Sequence, residues 1–478
     1  MKIQLTRAVI VAAATTSVLG LGACSASNPS VSPESPQSSR SADLERVSST
    51  KGALDVTLTA AESQVPYGAG TRWAMTYNGH TPGPTLTVHP GDHMNITLVN
   101  HLDEPTSLHT HGLHVPPSQD NPFLMVEPGQ SYTYRYDIPA DQQAGTYWYH
   151  PHVHGSSAEQ VAAGLVGAIL VEDDTDSRLA KVSTDRVLVV DDPPLVQSNP
   201  RDDSTSEMHM GGMHMGGPDQ SGGDMMTAMV GRSGPRLLTN GQDGVTLPDS
   251  GGRLERVHVV NASASTRLLL EFSGTSMVRL STSGGRLPSP QTVRSVDLSP
   301  GDRTELVLVP GVQGGHLTAQ RVSNEGHGRA TGNREVLATV APGAGTAALP
   351  SSLQANTRDL FGSRVRVARH RTITLDGHMR PTIDGQPFDP GTVNLYAKKG
   401  TVEEWTIKSN SPMEHPIHLH SWPFQVQGEQ GWQDVVMVPA YGSRTIRVPF
   451  DDFGGTTVLH CHILDHEDNG MMAVIRVQ

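Results

Sequence analysis

The chain has 478 residues, enough for about three domains with well-packed cores. Its 49 glycines and 34 prolines, beside only 4% aromatic residues, favour β structure with many turns. The formal charge of -13 argues against a nucleic-acid partner and is mildly favourable for binding cations.

Residues 1–23 have the pattern of an export signal. Lys2 and Arg7 belong to a charged start, and the apolar run that ends in LGAC at Cys24 is too short for a membrane span. LGAC resembles the bacterial lipobox, in which the cysteine becomes the lipidated first residue; in an ordinary signal peptide Cys24 would be incidental. With the Ser/Pro-rich residues 24–50 as a flexible tether, we expect an exported lipoprotein anchored to the extracytoplasmic face of a bacterial membrane.

A faint internal repeat divides the rest of the chain. Each copy begins with a turn dipeptide, continues as an alternating strand and ends at an asparagine, over residues 78–100, 240–261 and 384–410. Three similar copies predict three β domains, and short strands with frequent turns favour antiparallel β-sandwiches. The predicted domains are residues 51–175, 185–345 and 355–478.

The second domain carries an insertion, residues 207–229, in which the pentapeptide MHMGG occurs twice. Methionine normally fills gaps in a hydrophobic core. Here Gly, Asp, Pro and Ser leave no apolar face of a helix or a strand to bury. Core packing therefore does not explain these methionines.

Four His-x-His units are spread over the first and third domains. Residues two apart on a β-strand point to the same face, so each unit aims two imidazoles in one direction. One such pair is unremarkable by itself, but four can supply eight imidazoles to a single site. The units are His109/His111, His150/His152, His418/His420 and His460/His462.

Cys461 is the only other cysteine, so with Cys24 processed no intramolecular disulfide is possible. In HCHILDHEDNGM it precedes His466 and Met471, and one more imidazole from His415 gives two histidines, a thiolate and a weak thioether. This is the ligand set of a blue electron-transfer copper. Zinc would accept Cys and His, but it has no use for a thioether and cannot change redox state. The set therefore favours copper.

Cys461 also joins two sites. If His460 and His462 face one way along a strand, Cys461 faces the other, so the thiolate binds one metal while its neighbours bind others behind it. Eight imidazoles can be divided as two, three and three among three coppers. With the blue copper these make four one-electron carriers, and dioxygen needs four electrons to become two waters.

With these motifs the sequence resembles the multicopper oxidases. The resemblance covers nearly the whole mature chain and is carried by NGHTPGPTL, LHTHGLHVPP, YWYHPHVHGSSAEQVAAGLVG, HPIHLHSWPFQV and HCHILDHEDNGMM, in the family's order. It implies an all-β protein of three cupredoxin-like Greek-key β-sandwich domains, with the type 1 copper in the third and a trinuclear cluster between the first and third. The second domain is expected to be a spacer without these coppers.

The resemblance also implies which residues hold the four coppers. Type 1 copper is assigned to His415, Cys461, His466 and the axial Met471; type 2 copper to His109 and His418; one type 3 copper to His111, His150 and His462; and the other to His152, His420 and His460.

Two carboxylates occupy positions similar to the family's proton relays, Asp120 and Glu467. The alternative is a turn aspartate and a solvated surface glutamate. His114 and His154 lie beside copper motifs, but the ligand count is complete without them, and they are expected to lie around the ligands or on the surface.

The electron donor is the open question. The motifs and the expected location look like the bacterial branch associated with copper tolerance, whose substrate is Cu(I), oxidised as O2 is reduced to two waters. Thioether side chains favour Cu(I). In these relatives, however, the Met-rich insertion belongs to the third domain. Met413 resembles a substrate-site methionine of the family, but Ser411 stands where its acidic partner is expected. The alternatives are a laccase-like phenol oxidase, a ferroxidase, a copper-sequestering lipoprotein or, for the insertion, a surface segment with no role. The Cu(I) ligands predicted are Met208, His209, Met210, Met213, His214, Met215 and Met413, with a role in core packing as the alternative for Met413.

Overall fold

The computed structural model describes residues 43–68, 70–195, 231–325, 328–343, 348–377 and 381–478. The predicted export signal, Cys24, most of the tether and the Met/His insertion 207–229 lie outside these residues. Among the residues described, no helix has the length and apolar character needed to cross a membrane. The predictions about export and the anchor therefore remain predictions.

The described residues form six β-sheets, two in each third of the chain, so the prediction of an all-β, multi-domain sandwich is confirmed. In the first sandwich the sheets have the strand orders β1-β4-β9-β8-β6 and β3-β2-β5-β7. The elements are β1 (Arg46–Ser48), β2 (Ala53–Tyr67), β3 (Gly70–Tyr77), β4 (Thr85–Val88), β5 (His93–Asn100), β6 (His109–His111), β7 (Ser131–Asp137), β8 (Gly145–His150), α1 (Ser157–Ala163), β9 (Gly167–Val171) and α2 (Asp174–Leu179). β1 lies in the range assigned to the tether.

The second sandwich has the strand orders β11-β10-β13-β18-β15-β16 and β12-β20-β19-β14-β17. Its strands are β10 (Arg186–Asp191), β11 (Leu238–Thr239), β12 (Val245–Thr246), β13 (Glu255–Asn261), β14 (Arg267–Phe272), β15 (Ser276–Thr282), β16 (Gly285–Val293), β17 (Ser295–Leu298), β18 (Arg303–Val309), β19 (Gly315–Val322) and β20 (Ala330–Val340).

The third sandwich has the strand orders β22-β21-β24-β28-β26 and β23-β30-β29-β25-β27. Its elements are β21 (Val367–Asp376), β22 (Thr382–Ile383), β23 (Val393–Ala397), β24 (Thr401–Ser409), β25 (His415–Leu419), β26 (Gln425–Val426), β27 (Val435–Val438), β28 (Ser443–Phe450), β29 (Gly455–Cys461), α3 (Leu464–Asp468) and β30 (Met472–Val477).

Side chains alternate along each strand, so that every second residue points into the core, as β5 illustrates. Its buried residues Met94, Ile96 and Leu98 point into the first sandwich and alternate with half-exposed ones. Most strand pairs are antiparallel, but β2 and β5, β10 and β13, and β21 and β24 pair in parallel, which the sequence did not predict. Parallel partners arise where the connection between two strands crosses to the opposite sheet before it returns.

One apolar cluster joins the three sandwiches. It contains Trp148 and Val161 from the first, Val260 and Ala262 from the second and Leu464 from the third. The described residues therefore belong to one compact unit. This contact brings the ends of β6 and β8 against those of β25 and β29, where the four His-x-His units lie.

Candidate metal centres

The four His-x-His units meet in the interior of the protein. In the first sandwich, β6 pairs with β8 so that His109 lies opposite His150. In the third, β25 pairs with β29 so that His418 lies opposite His460. All eight side chains are buried, none more than 3% exposed.

The histidines of the two sandwiches interleave. The ring of His109 stacks on that of His420, with centroids 3.8 Å apart, and the ring of His111 stacks on that of His418 at 3.7 Å. Nε2 of His420 lies 3.1 Å from Nε2 of His460. The eight imidazoles thus form one continuous cluster between the first and third sandwiches.

Several subsets of the cluster place their ligand atoms within 4.8 Å of one another. One subset, His152/His420/His460, is a trio assigned above to a type 3 copper. Rings of the other assigned trio are also adjacent, with His462 centred 4.9 Å from His111 and 5.5 Å from His150. The remaining subsets are His109/His111/His150, His109/His418/His420 and His111/His418/Asp434.

The chemistry of these rings fits bound metal. Burial lowers the pKa of His150 to about 3 and the pKa of His152 to about 4, which leaves both imidazoles neutral near pH 7 and able to act as ligands. Buried polar atoms normally have partners. Within the described residues, the ring nitrogens without a hydrogen-bond partner include His109 Nε2, His111 Nε2, His418 Nε2, His420 Nδ1 and both nitrogens of His152 and His462. A copper cluster is the partner that this set of donors suits.

A second group surrounds the thiol of Cys461. Its Sγ lies 3.7 Å from Nδ1 of His415 and 3.6 Å from Nδ1 of His466. Met471 is fully buried in the same core, and its carbonyl accepts a hydrogen bond from the amide of Cys461. Burial raises the pKa of the Cys461 thiol and lowers the pKa of His415 to about 3. A cation is therefore needed to hold the thiolate form in this apolar site.

The two groups share one strand. On β29 and its continuation, Cys461 faces the core of the third sandwich while His460 and His462 face the eight-histidine cluster. The alternation of side chains along a strand explains this division. Three consecutive residues thus connect the thiol group covalently to the imidazole cluster.

Both predicted proton-relay carboxylates are buried beside the cluster rather than on the surface. Oδ2 of Asp120 lies 2.7 Å from Nδ1 of His109, and burial raises the pKa of Asp120 to about 7. Glu467 Oε1 accepts a hydrogen bond of 2.8 Å from the Ser157 hydroxyl, and its Oε2 lies 3.0 Å from Nδ1 of His460. Each carboxylate therefore contacts an assigned ligand directly.

The side chains of the two neighbouring histidines make their close contacts outside the assigned ligands. His114 bonds to Asp452 at 2.6 Å and to the carbonyl of Ser421 at 2.7 Å. His154 is exposed, with its ring 4.7 Å from that of Phe388. Neither contact involves an assigned ligand.

Sequence reasoning missed contributions from the second sandwich and from Asp434, the residue before β27. Asp434 accepts a hydrogen bond of 2.8 Å from Nδ1 of His418 through its backbone carbonyl, and Arg303 pairs with its carboxylate. Gly301 lies against the ring of His462. The second sandwich supplies none of the assigned copper ligands, but it contacts one of them, His462. No sequence motif predicted the contacts of Arg303 and Gly301, because each joins residues more than 100 positions apart.

Met413 lies at the edge of a cavity of about 370 Å³ and belongs to the same apolar core as Cys461. It is 4% exposed and forms a β-bridge with Glu325 of the second sandwich. Asn324 and Gly231 also line this cavity. Met208, His209, Met210, Met213, His214 and Met215 lie outside the described residues.

Fold and site together define a copper-dependent oxidoreductase of the all-β class. Multicopper oxidase family models match residues 59–176 and 363–478. The chain is 28% identical over 425 residues to the multicopper oxidase mco of Staphylococcus aureus, covering 84% of this chain and 83% of that protein. The chain belongs to the multicopper oxidase family.

Two other comparisons mark the breadth of the resemblance. The solved structure of a multicopper oxidase from Campylobacter jejuni, described as a metallo-oxidase, has a TM-score of 0.75 and 26% identity, and covers 91% of this chain and 93% of that one. The cell division protein FtsP of Escherichia coli (strain K12) is 28% identical over 409 residues, covering 80% of each chain.

Proposed function

We propose that this multicopper oxidase couples four one-electron oxidations, with Cu(I) as the preferred donor, to the reduction of O2 to two waters, as a contribution to copper tolerance. The observation that carries the proposal is the placement of Cys461 on one strand between His460 and His462, with the thiol in one group and the imidazoles in the other. Storage of copper alone requires no such connection.

The proposed ligand sets follow the sequence assignment and comprise four coppers. Type 1 copper is assigned to His415, Cys461, His466 and Met471, and type 2 copper to His109 and His418. One type 3 copper is assigned to His111, His150 and His462, and the other to His152, His420 and His460. Copper at these positions would supply one-electron redox chemistry and the four-electron reduction of dioxygen.

Asp120 and Glu467 have proposed roles in proton supply. Dioxygen reduction consumes protons, and both carboxylates are buried within hydrogen-bond distance of an assigned imidazole. Ser157 orients one oxygen of Glu467, so that the other faces His460. The apolar residues around the thiol of Cys461 exclude water from the donor side.

Preference for Cu(I) is supported by the soft side chain of Met413, which lies in the same apolar core as Cys461. Met413, two residues before His415, presents a buried thioether beside a cavity at the junction of the second and third sandwiches. Arg232, three residues after the insertion 207–229, donates from its amide and its guanidinium to Asp465 at 2.7 and 3.0 Å. Asp465 is next to His466. Arg232 therefore lies close to the proposed donor site.

Export and anchoring through a lipid on Cys24 are part of the proposal and rest on the sequence of residues 1–24. A lipoprotein outside the cytoplasm would meet incoming copper first. Replacing Cys24 by Ala should release the protein from the membrane fraction, whereas retention in that fraction would contradict the anchor.

The donor preference is tested by oxygen uptake with Cu(I), Fe(II) and a phenol. Met413→Leu removes the thioether at nearly constant volume, and loss of about 1.4 kcal/mol of Cu(I) binding raises the KM for Cu(I) about tenfold. Met277→Leu, buried in the second core, is the matched control. Deletion of residues 207–217 should slow Cu(I) oxidation selectively at low concentration.

The outcomes separate the alternatives. Equal losses with Cu(I) and phenol would contradict the Cu(I) site and favour a laccase-like phenol oxidase; faster turnover with Fe(II) than with Cu(I) would identify a ferroxidase. Copper binding without oxygen uptake by the wild-type protein would favour a copper-sequestering lipoprotein.

A further inference from the structure

A Pro-Gly-Asp turn of the second sandwich contacts the histidine cluster. In this turn, residues 299–303, Asp302 accepts a hydrogen bond of 2.9 Å from the amide of Ser299, and Gly301 has φ +84°. A Cβ at Gly301 would lie 2.9 Å from the ring of His462. The turn thus touches an assigned copper ligand and places Arg303 at the start of β18.

Arg303 is completely buried and contacts all three sandwiches. Its Nε donates to the carbonyl of Thr146 in the first sandwich at 3.2 Å, and its Nη2 donates to the carbonyl of Ser283 in the second at 2.6 Å. Its Nη1 and Nη2 each lie 2.8 Å from a carboxylate oxygen of Asp434 in the third. This two-pronged geometry fixes both the position and the orientation of the carboxylate.

Asp434 in turn contacts two assigned ligands. Its carbonyl accepts the Nδ1 proton of His418 at 2.8 Å, and its Oδ2 lies 3.8 Å from Nε2 of His111. With the proton of His418 on Nδ1, the lone pair lies on Nε2, which has no hydrogen-bond partner among the described residues. Gly112 leaves space for the pair, because a Cβ there would lie 2.2 Å from Arg303 Nη2.

The first sandwich contains the same turn without this function. Residues 89–93 form a Pro-Gly-Asp turn in which Asp92 accepts a hydrogen bond of 2.8 Å from the amide of His89. The residue that corresponds to Arg303 is His93, which is exposed and contacts the exposed Asp137. The turn itself therefore does not require an arginine, and the buried guanidinium needs another explanation.

We propose that Arg303 and Asp434 are positioning residues that hold His418 and His111 in the tautomer and orientation required to bind copper, so that the second sandwich controls loading of the trinuclear cluster. The inference rests on the copper assignment in the proposed function and is independent of the electron donor. Groups hydrogen-bonded to metal-binding histidines fix their tautomer and orientation in this manner.

The test uses the full-length protein and the variants Asp434→Asn, Arg303→Lys and Arg303→Met. Asp434→Asn keeps the shape and the backbone carbonyl; Arg303→Lys keeps the charge but loses the two-pronged contact. The control is Arg286→Lys, because Arg286 is equally buried in the second sandwich and pairs with Asp173 and Glu305, away from the histidines. Copper per chain, the electron paramagnetic resonance spectrum and the blue thiolate absorption are measured for each protein.

Arg303→Met and Asp434→Asn should weaken retention of type 2 copper against a chelator by about tenfold and alter its resonance signal, while the blue absorption stays at the wild-type level. Arg303→Lys should show a smaller loss, and Arg286→Lys none. Melting of the copper-free proteins separates positioning from stability, because a structural defect would lower blue and type 2 copper together.

Full type 2 copper with an unchanged spectrum in Asp434→Asn would overturn the proposal, as would parallel loss of blue and type 2 copper. If Arg303→Met does not fold, Asp434→Asn and Arg303→Lys still decide it. A wild-type protein without any type 2 signal would instead contradict the copper assignment in the proposed function.

Discussion

Substitution of Gly301 by Ala offers a local probe of the contact between the second sandwich and the cluster. An added Cβ would lie 2.9 Å from two atoms of the His462 ring, where 3.4 Å is an ordinary contact, so the ring or the turn must move by about 0.5 Å (3.4 − 2.9). The φ of +84° costs a residue with a Cβ about 1–2 kcal/mol, and overpacking adds about 1–3 kcal/mol.

Gly91→Ala is the matched control for this prediction. Gly91 occupies the same Pro-Gly-Asp turn in the first sandwich with φ +90°, and a Cβ there meets no atom within 4 Å. The Gly91→Ala variant should therefore be destabilised only by the unfavourable φ angle, without the overpacking. The melting temperatures of the copper-free proteins give the stability difference, and copper content with paramagnetic resonance reports the cluster. Equal melting temperatures and equal copper content in the two variants would refute the proposed contact with His462.

Other perturbations separate proton supply, buried charge and metal binding. Glu467→Gln should slow reoxidation of the reduced protein by O2 about 100-fold and leave anaerobic reduction by the donor unchanged in stopped-flow absorption; equal slowing of both steps would contradict a proton-relay role. Burial and then the nearby Glu159 raise the pKa of Glu104 to about 7, so its charge destabilises the fold as the pH rises through 7. Glu104→Gln should therefore raise the melting temperature more at pH 8 than at pH 5, unlike the exposed control Glu127→Gln; a gain that does not depend on pH would be evidence against this. Copper at a hundredfold excess over its Kd stabilises by about 2.7 kcal/mol per site, so a chelator should lower the melting temperature, and an unchanged value would argue against structural copper sites.

The parts of the site that sequence could predict are those governed by strand alternation. His460 and His462 face one side of β29 and Cys461 the other because adjacent side chains on a strand point in opposite directions. The same spacing rule paired His109 with His111. The alternation of side chains is visible in the sequence, and for these residues it was sufficient to predict which side of the strand each one faces.

Contacts between sandwiches had no such signature. Arg303 and Asp434 are separated by 131 residues. The Pro-Gly-Asp turn before Arg303 recurs in the first sandwich, but there it is followed by His93, so the turn did not predict a buried arginine. The parallel pairing of β2 with β5 was also missed, because alternation predicts which face of a strand is buried but not its partner. The burial of Glu467 follows from α3 packing beside α1, where Ser157 meets the carboxylate, an arrangement that only the tertiary fold reveals.

The most direct test of the central claim is the ratio of donor oxidised to O2 consumed, measured with a limiting, known amount of donor and a peroxide assay. Four electrons per O2 with no free peroxide is the predicted result for the wild-type protein, and Cys461→Ser should consume no O2 with any donor. Two electrons per O2 with stoichiometric peroxide, or undiminished turnover in Cys461→Ser, would contradict a thiol centre that is coupled to the eight-histidine cluster.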